Sequence, residues 1–400
     1  MKPKLRYCTI VLLCFLGLSA KSQEITESTF GNGLINVVAK DSSYSLKFAT
    51  RFQTLFSSRW TFTEDDTSTS GETNMLIRRA RLKFEGFAYS PKLEYKIELG
   101  LSNRDISGGN EFTGNAPRYI LDAVLKWNFY KNFVLWAGQT KLPGNRERVI
   151  SSGDLQLVDR SLLNSRYNID RDIGVQLHHS HQLGENILIK KAISFSQGEG
   201  RNIISGNLGG FQYTGRLELF PFGNFNAYEQ ADLDRYKSPK LAVGFTFDHN
   251  NNAVRNRSNM GNYMRTDYGF HETDINTYFI DAMFKYRGLS IMGEYAKRNA
   301  ESPIALNSNG TPTGDKVNEG TGINFQIGYL LDNNYELVGR VTHIDRKFQL
   351  PNNIENQYTI GLSKYIINHK LKIQTDISLN DMDHSITNRT LYRLQIDFHF

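Results

Sequence analysis

The feature that most constrains this chain is an alternation of apolar and polar residues that recurs from residue 44 to the C terminus. In the stretch 93–101, leucine, isoleucine and tyrosine occupy one side, and glutamate and lysine occupy the other. Strands alternate with period two, whereas helices repeat every 3.6 residues. Sixteen strands are predicted, near 44–53, 75–87, 93–101, 119–129, 132–138, 172–179, 187–196, 210–219, 240–248, 276–286, 289–297, 320–330, 334–343, 356–364, 370–379 and 391–400. The chain is therefore predicted to be all-β.

The connections between these strands alternate in length. Short turns such as "YRGL" and "LLDNN" are separated by long polar stretches, with 220–239 as an exception that is long where a short turn is expected. The long stretches are 57–74, 102–118, 139–171, 249–275, 298–319 and 344–355. Outer-membrane barrels have short periplasmic turns and long extracellular loops, whereas sandwiches and propellers do not sort their loops in this way. The predicted fold is a transmembrane antiparallel β-barrel of about sixteen strands, which would enclose an aqueous channel.

The first 22 residues have the pattern of a secretory signal peptide. Lys2, Lys4 and Arg6 precede an apolar stretch, and small residues follow it, so cleavage is expected near Ser22. The mature chain is predicted to comprise an N-terminal periplasmic segment, 23–43, and a single barrel, 44–400. Together, the leader and the barrel predict localisation in the outer membrane of a Gram-negative bacterium.

Composition argues against several functions. Both cysteines, Cys8 and Cys14, lie in the leader, which excludes disulfides and thiol catalysis in the mature chain. The leader also holds four of the 47 basic residues and none of the 41 acidic ones, so the mature chain is nearly neutral. The high overall pI therefore gives little support to nucleic-acid binding. No catalytic motif stands out, and neither an enzyme nor a cofactor is predicted.

Several stretches, in order, resemble the phosphate-selective porin O and P family. They are "YSLKFATRFQ" (44–53), "LIRRARLKFEGFAY" (76–89), "YKIELGLSN" (95–103), "WAGQTKLPGNRERVISSGDLQLVDRSLLN" (136–164), "RDIGVQLHH" (171–179) and "FPFGNFNAYEQADLDRYKSPKLAVGFTFDHN" (220–250). The resemblance runs in patches from about residue 30 to the C terminus. It implies a sixteen-stranded anion-conducting porin, usually a homotrimer, with a loop after the fifth strand folded into the lumen.

The loop 139–171 follows the predicted fifth strand, where that constriction loop would lie. Its predicted anion-binding residues are Lys141, Arg146, Arg148, Arg160 and Arg166. Arginine suits phosphate-like anions because its planar guanidinium stays charged and can donate two parallel hydrogen bonds. The alternative is that these arginines pair with the loop's own carboxylates and only brace the loop.

The strand register also predicts which charges face the lumen. The basic set is Lys47, Arg51, Arg79, Arg81, Lys83, Lys96, Lys126, Arg216, Lys285, Arg340, Lys372 and Arg393, and the acidic set is Glu85, Glu94, Glu98, Asp122, Glu218, Asp248, Asp281, Glu294, Glu336, Asp376 and Asp397. The wall is thus predicted to be nearly neutral, which favours a weak anion preference over strict phosphate specificity. Arg79, Arg81 and Lys83 form the one basic run on a single strand. An alternative role for this run is a cross-strand ion-pair ladder with Glu94 and Glu98.

The last strand and a histidine cluster are two further candidate sites. Tyr392, Phe398 and Phe400 give the chain an aromatic alternation that resembles the C-terminal signal recognised by the barrel assembly machinery. The cluster "HHSH" (178–181) does not predict a metal site, because His178 would face away from the other two histidines on a strand.

We therefore predict an outer-membrane porin for passive diffusion of small hydrophilic solutes, with a preference for anions such as phosphate. Its expected partners are outer-membrane lipid and lipopolysaccharide, small anions, the barrel assembly machinery and further copies of itself in a homotrimer. Nucleic acid is not an expected partner. The alternatives are a non-selective nutrient or sugar porin, and a surface-displayed barrel that acts as an adhesin or binding protein. A soluble two-sheet binding protein is a further alternative, which the terminal aromatic pattern disfavours.

Overall fold

A computed structural model of the chain describes Phe30 and residues 32–63, 68–347, 353–382 and 387–400. Sixteen long strands form the main sheet of this described part. They are β1 Ser45–Thr63, β2 Ser68–Ala88, β3 Ser90–Gly100, β4 Ile120–Tyr130, β5 Phe133–Lys141, β6 Arg171–Leu183, β7 Ile187–Ser196, β8 Gln212–Phe220, β9 Lys240–Ala253, β10 Thr273–Tyr286, β11 Leu289–Ala300, β12 Gly320–Leu330, β13 Tyr335–Arg346, β14 Ile354–Ile367, β15 Leu371–Met382 and β16 Thr387–His399. The sixteen predicted strands are confirmed. The predicted signal peptide and its cleavage site lie outside the described residues.

The sheet closes on itself. Consecutive strands pair antiparallel, and β16 returns to β1 in a register that runs from Arg51 opposite His399 to Thr63 opposite Thr387. Each of the sixteen described strands therefore has two hydrogen-bonded neighbours. Closure satisfies the backbone polar groups that an open sheet would leave unpaired in lipid. The predicted antiparallel barrel is confirmed.

The prediction of a long loop at 57–74 was wrong. β1 continues to Thr63 and β2 begins at Ser68, and the two strands pair along this extension. On β1 the alternation continues through Trp60 and Phe62, but residues 71–74 of β2 contain no apolar side chain, so the alternation that marked the other strands is absent there.

The outer face of the barrel is apolar and the inner face is polar. In β12, Ile323, Phe325 and Ile327 are about half exposed on the outside, while Asn324 and Gln326 are buried inside. A water-soluble sheet would bury the apolar side instead. This inverted arrangement fits a barrel surrounded by lipid.

The connections between the long strands contain short helical turns and short strands. The helical turns are α1 Asn103–Ile106, a 3₁₀ turn Glu111–Thr113, α2 Arg146–Val149 and α3 Leu162–Tyr167. The short strands are Ile35–Val38, which pairs with the start of β1, and the hairpins Arg255–Arg257 with Met260–Tyr263, Arg265–Thr266 with Gly269–Phe270, and Ile304–Leu306 with Pro312–Lys316. In the described part of the chain, no helix has the length and apolar character needed to cross a membrane.

Two connections pack against the inner wall. We call residues 142–170, between β5 and β6, the constriction loop, and residues 221–239, between β8 and β9, the inward turn. Ile150 and Leu155 of the constriction loop share a buried apolar cluster with Phe225 and Ala227 of the inward turn. A backbone hydrogen bond of 3.1 Å, from the amide of Gln230 to a constriction-loop carbonyl, also joins them. The two segments therefore form one continuous partition inside the barrel.

Candidate functional site

The open part of the lumen is a cavity of about 670 Å³. Its wall is formed by the inner faces of seven consecutive strands, β2–β8, and by the edge of the constriction loop. A second cavity of about 520 Å³ lies among the outer loops and shares Arg118, Asp170, Arg171, Arg201 and Met260 with the first. The two cavities therefore adjoin and give the lumen a basic vestibule on the side of the long loops.

The constriction loop covers the remaining wall and engages its carboxylates. Its side chains bond to acids of β10, β13 and β14, and two backbone amides bond to acids of β11 and β15. The pairs are Arg146 with Asp281 (2.8 Å), the Glu147 amide with Glu294 (2.7 Å), Gln156 with Glu336 (2.5 Å), the Val158 amide with Asp376 (3.0 Å) and Arg166 with Glu355 (2.6 Å). None of these five acids lines the open cavity. The loop therefore withdraws acidic charge from the lumen.

Basic residues dominate what is left open. The cavity is lined by Arg78, Arg79, Arg81, Lys96, Arg104, Arg118, Lys126, Lys141, Arg148, Arg160, Arg171, Lys190, Lys191, Arg201 and Arg216, and its acidic residues are Glu98, Asp105, Asp122, Asp170 and Glu218. Lys191 is exposed and alternates outward on β7, so its side chain belongs to the outer face. The predicted wall set contributes few of these charges to the open cavity. Most of the positive excess comes from residues that the register did not include, among them Arg104, Arg118, Arg148, Arg160 and Arg201.

Every carboxylate of the cavity has a cationic partner. Glu98 pairs with Arg81 at 2.9 Å, and Asp122 pairs with Lys96 at 2.6 Å and with Arg171 at 2.9 Å. The remaining pairs are Asp105 with Arg81, Asp170 with Arg148 and Arg171, and Glu218 with Arg146 and Arg216. The negative charges of the lining are therefore locally neutralised.

Seven lining cations have no such compensation. Among the described residues, no carboxylate oxygen lies within 4.0 Å of the charged nitrogens of Arg104, Arg118, Lys126, Lys141, Arg160, Lys190 or Arg201. Arg160 and Lys141 donate instead to backbone carbonyls of the constriction loop, at 2.6–3.2 Å. The Nε atom of Arg118 is buried and has no hydrogen-bond partner among described residues. These groups give the lumen an excess of positive charge.

Two of these arginines lie where the vestibule meets the lumen. Arg201 donates to the Asp105 carbonyl at 2.6 Å and to the Arg118 carbonyl at 3.2 Å. Burial, together with repulsion from Arg118, lowers the pKa of Arg201 to about 10. Because that pKa stays well above neutral pH, Arg201 keeps its charge under physiological conditions.

The predicted anion-binding residues of the loop separate into two groups. Arg148, Arg160 and Lys141 line the cavity, although Lys141 ends β5 and does not belong to the loop itself. Arg146 is fully buried between Asp281 and Glu218, and Arg166 is bound to Glu355 away from both cavities. Arg146 and Arg166 therefore hold the constriction loop against carboxylates of the barrel wall.

The predicted basic run on β2 is also divided. Arg79 and Arg81 line the cavity, whereas Lys83 lies outside it and pairs with Glu85 at 2.5 Å. Arg81 bonds to Glu98 on the adjacent strand, as the cross-strand interpretation predicted.

Sequence reasoning missed Arg78, because a β-bulge changes the register. Gln53 pairs with Arg79 and Thr54 pairs with Ile77, which leaves Arg78 without a partner on β1. A bulge places two consecutive side chains on the same face, and both arginines line the cavity. The signal in the sequence is the doublet itself, since strict alternation would point one arginine into lipid. Arg104, Arg118 and Arg201 were missed because they come from outer loops whose positions no periodicity predicts.

The terminal aromatic residues pack along the seam of the barrel. The ring of Phe398 lies 5.1 Å from Phe52 and 4.5 Å from Phe400, and Tyr392 lies 6.3 Å from Phe56. Their role as an assembly signal stays a prediction.

The histidine cluster is divided between two faces. His178 lines the cavity and stacks on Trp136 at 4.2 Å, while His179 stacks on Phe133 at 4.1 Å. In the described part of the chain, no group of three or more metal-ligating side chains was found.

Comparison with known proteins agrees with this architecture. Residues 52–222 match the family model of phosphate-selective porin O and P. Among solved structures, the chain is similar to Salmonella typhi OmpF in complex with daunomycin, with a TM-score of 0.58, 11% identity, and coverage of 90% of this chain and 99% of that chain. It is also similar to the outer membrane channel DcaP of Acinetobacter baumannii, with a TM-score of 0.53, 11% identity, and coverage of 91% and 99%. For the trimer form of in-vitro folded OmpT of Vibrio cholerae, the TM-score is 0.50, with 10% identity and coverage of 90% and 100%. No curated protein matches the sequence.

A closed sixteen-stranded barrel with an apolar exterior and a polar lumen defines a porin-type β-barrel of the outer membrane. The family model of phosphate-selective porin O and P matches residues 52–222, and over this stretch the match confirms the resemblance seen in the sequence. The fold is that of the outer-membrane porins and channels with which the chain was compared.

Proposed function

We propose that this protein is a passive pore for small hydrophilic solutes that prefers anions. The observation that carries the proposal is the asymmetry of charge compensation in the lumen. Every lining carboxylate is paired, whereas seven lining cations have no carboxylate within 4.0 Å among the described residues. The proposed transport needs no cofactor and includes no catalytic step.

Uncompensated cations favour anions for an electrostatic reason. The lumen is narrow and bounded by a low-dielectric wall, so the field of each fixed charge is screened less than at an open surface. A positive potential raises the local concentration of anions and lowers their barrier to entry, and it does the reverse for cations. Because the uncompensated groups line both the vestibule and the lumen, an anion would meet them along its path.

Phosphate is the solute class that the family description suggests. The guanidinium groups of Arg104 and Arg118 donate no hydrogen bond to any described residue, so they are available to an oxyanion. Arg81 and Arg171, by contrast, are each committed to two carboxylates. This mixture supports a modest preference for phosphate rather than strict specificity.

The test is the reversal potential of the purified protein in a planar bilayer across a KCl gradient. The reversal potential is expected to have the sign of the chloride equilibrium potential. Arg118→Gln and Arg201→Gln should each shift it toward the potassium equilibrium potential. Arg235→Gln is the matched control, because Arg235 binds carbonyls at the turn side and lines neither cavity. A cation-selective wild-type channel would contradict the proposal.

A non-selective sugar porin is the second candidate, and one observation favours it. Trp136 faces the lumen, where an aromatic ring could stack on a sugar. The ring is, however, covered by Lys126 at 4.3 Å and by His178 at 4.2 Å. A channel that conducts sugars and shows no preference between anions and cations would favour this candidate. If Trp136→Leu then leaves sugar permeation unchanged, Trp136 has no stacking role.

We also propose a homotrimer that contacts outer-membrane lipid and lipopolysaccharide after insertion by the barrel assembly machinery. OmpT of Vibrio cholerae, which is similar in fold, has a trimer form, and this supports the oligomeric state by analogy. Cross-linking of the purified protein, followed by electrophoresis of unheated samples, would test it.

A further inference from the structure

One carboxylate of the constriction loop is surrounded by arginines. The Oδ1 atom of Asp159 lies 2.6 Å from Arg78 and 3.6 Å from Arg79, and its Oδ2 atom lies 3.2 Å from Arg393. Arg393 has a second carboxylate partner in Asp376, at 2.6 Å. Among the described residues, Arg78 and Arg79 have no carboxylate within 4.0 Å other than Asp159. The Asp159 carboxylate is therefore the one nearby negative charge for both guanidinium groups among the described residues.

The backbone holds Asp159 in this position. The amide of Val158 donates to Asp376 on β15 at 3.0 Å, and Arg340 on β13 donates to the Asp159 carbonyl at 2.9 Å. The carboxylate is thus presented to the arginines from the covered side of the lumen by contacts that do not involve its own oxygens. A neutral side chain at this position would leave those backbone contacts in place.

The same arginines face the solute path. Arg78 and Arg79 line the open cavity together with Arg104, whereas Asp159 and Arg393 do not. A guanidinium pair that opens onto an anion-accessible lumen has the donor geometry for two oxygens of a tetrahedral oxyanion. In the structure, Arg78 donates to the Asp159 carboxylate at 2.6 Å, whereas Arg79 donates to Gln53 at 2.6 Å and is paired with Asp159 only by charge, at 3.6 Å.

We propose that Asp159 is a resident competitor for an oxyanion site formed by Arg78 and Arg79, and that it keeps solute binding at this site weak. The inference rests on the proposed anion preference of the pore. A carboxylate tethered beside the site competes at a high effective concentration, so a free phosphate must displace it or share its donors. Weak binding suits transport, because a solute that is held too tightly leaves the pore slowly.

The test compares Asp159→Asn with Asp154→Asn in planar bilayers, using inorganic phosphate as the blocker of chloride current. Both variants remove one charge from the constriction loop, but the Asp154 carboxylate has no ion pair among the described residues, so it controls for the change in overall charge. Asp159→Asn is expected to lower the half-blocking phosphate concentration by about tenfold, the scale of one charge-assisted hydrogen bond to an anion. Asp154→Asn is expected to change it much less.

A further variant makes the result specific to the arginine pair. Adding Arg78→Gln to Asp159→Asn should abolish the gain in phosphate block, and Asp159→Ser offers a second neutral side chain if the asparagine variant does not fold. Phosphate block in Asp159→Asn that is equal to or weaker than in the wild type would overturn the inference. An anion-selective wild type with that result would leave the proposed function intact, whereas a cation-selective wild type would remove both.

Discussion

Substitution of Arg146 by methionine tests how the constriction loop is held. The Arg146 side chain is fully buried, and its nitrogens lie 2.8 Å from Asp281 and 2.8 Å from Glu218. It also donates to the Ala227 carbonyl of the inward turn at 3.3 Å. Methionine keeps much of the apolar stem but removes the charge. Of the cations in the described chain, Arg216 alone would then lie within 4.0 Å of the two carboxylates.

The magnitude follows from what remains after the substitution. Breaking a buried ion pair by removing one partner costs about 3–5 kcal/mol, because the other charge is left buried. Here Arg216 still lies 2.7 Å from Asp281 and 3.0 Å from Glu218, and Tyr228 still donates to Glu218 at 2.6 Å. We therefore expect a loss at the low end of this range, about 3 kcal/mol.

Arg166→Met is the matched control in the same loop. The Arg166 side chain is 32% exposed, and its one ion pair within the described parts of the chain is with Glu355, which keeps Arg346 as a partner at 2.6 Å. A partly exposed pair of this kind contributes about 1 kcal/mol or less. The two substitutions should therefore differ clearly, although both remove an arginine from the constriction loop.

The assay is urea unfolding of the barrel in lipid vesicles, followed by tryptophan fluorescence, together with single-channel conductance. Arg146→Met should unfold at lower urea and conduct more current than the wild type, because a loosened loop narrows the lumen less. Arg166→Met should resemble the wild type in both measurements. If the two variants unfold at the same urea concentration, the buried ion-pair cluster does not hold the loop and the reasoning is refuted.

Two further predictions concern the strands. Deleting Arg78 removes the bulge opposite Gln53 and Thr54, so β1 and β2 should pair regularly and the barrel should still fold, as judged by heat-modifiable mobility. Phosphate block should weaken, because one cation of the lumen is lost. An unfolded product would show that the bulge is needed for closure of the barrel. The double substitution Phe398→Ala and Phe400→Ala should lower the amount of barrel recovered from the outer membrane more than the yield of unassisted folding into vesicles. Equal losses in both measurements would mean that these rings stabilise the seam and do not act as an assembly signal.

Much of the fold was predictable because a strand in a barrel is encoded locally. Two-residue periodicity marks where a strand lies and which side meets lipid, and each of the sixteen predicted ranges overlaps an observed strand. The errors lie where this signal ends. β1 and β2 both extend further than predicted, and residues 71–74 of β2 contain no apolar side chain that could mark them as part of a strand.

The candidate site was only partly predictable. Loop 139–171 does contribute residues to the cavity, yet nothing in its sequence distinguishes Arg146, which is buried between two carboxylates, from Arg148, which lines the cavity. The two differ in which wall they meet, and that depends on strands far away in the chain. Likewise, Arg78 turns inward only because the pairing of β2 with β1 skips one residue.

The barrel, its number of strands and the inward-facing residues of regular strand stretches could be read from the sequence alone, because they depend on alternation between neighbouring residues. The bulge at Arg78 could not be read in this way. The charge of the open lumen was decided by the tertiary structure. Basic and acidic residues occur in nearly equal numbers on the predicted inner face, but the constriction loop packs against the side that carries Asp281, Glu294, Glu336 and Asp376 and bonds with them directly. The loop brings a partner to each of these acids, as burial of a carboxylate requires. It also covers wall cations such as Arg340 and Lys372, so the open cavity is basic chiefly because the loops bring further arginines to it.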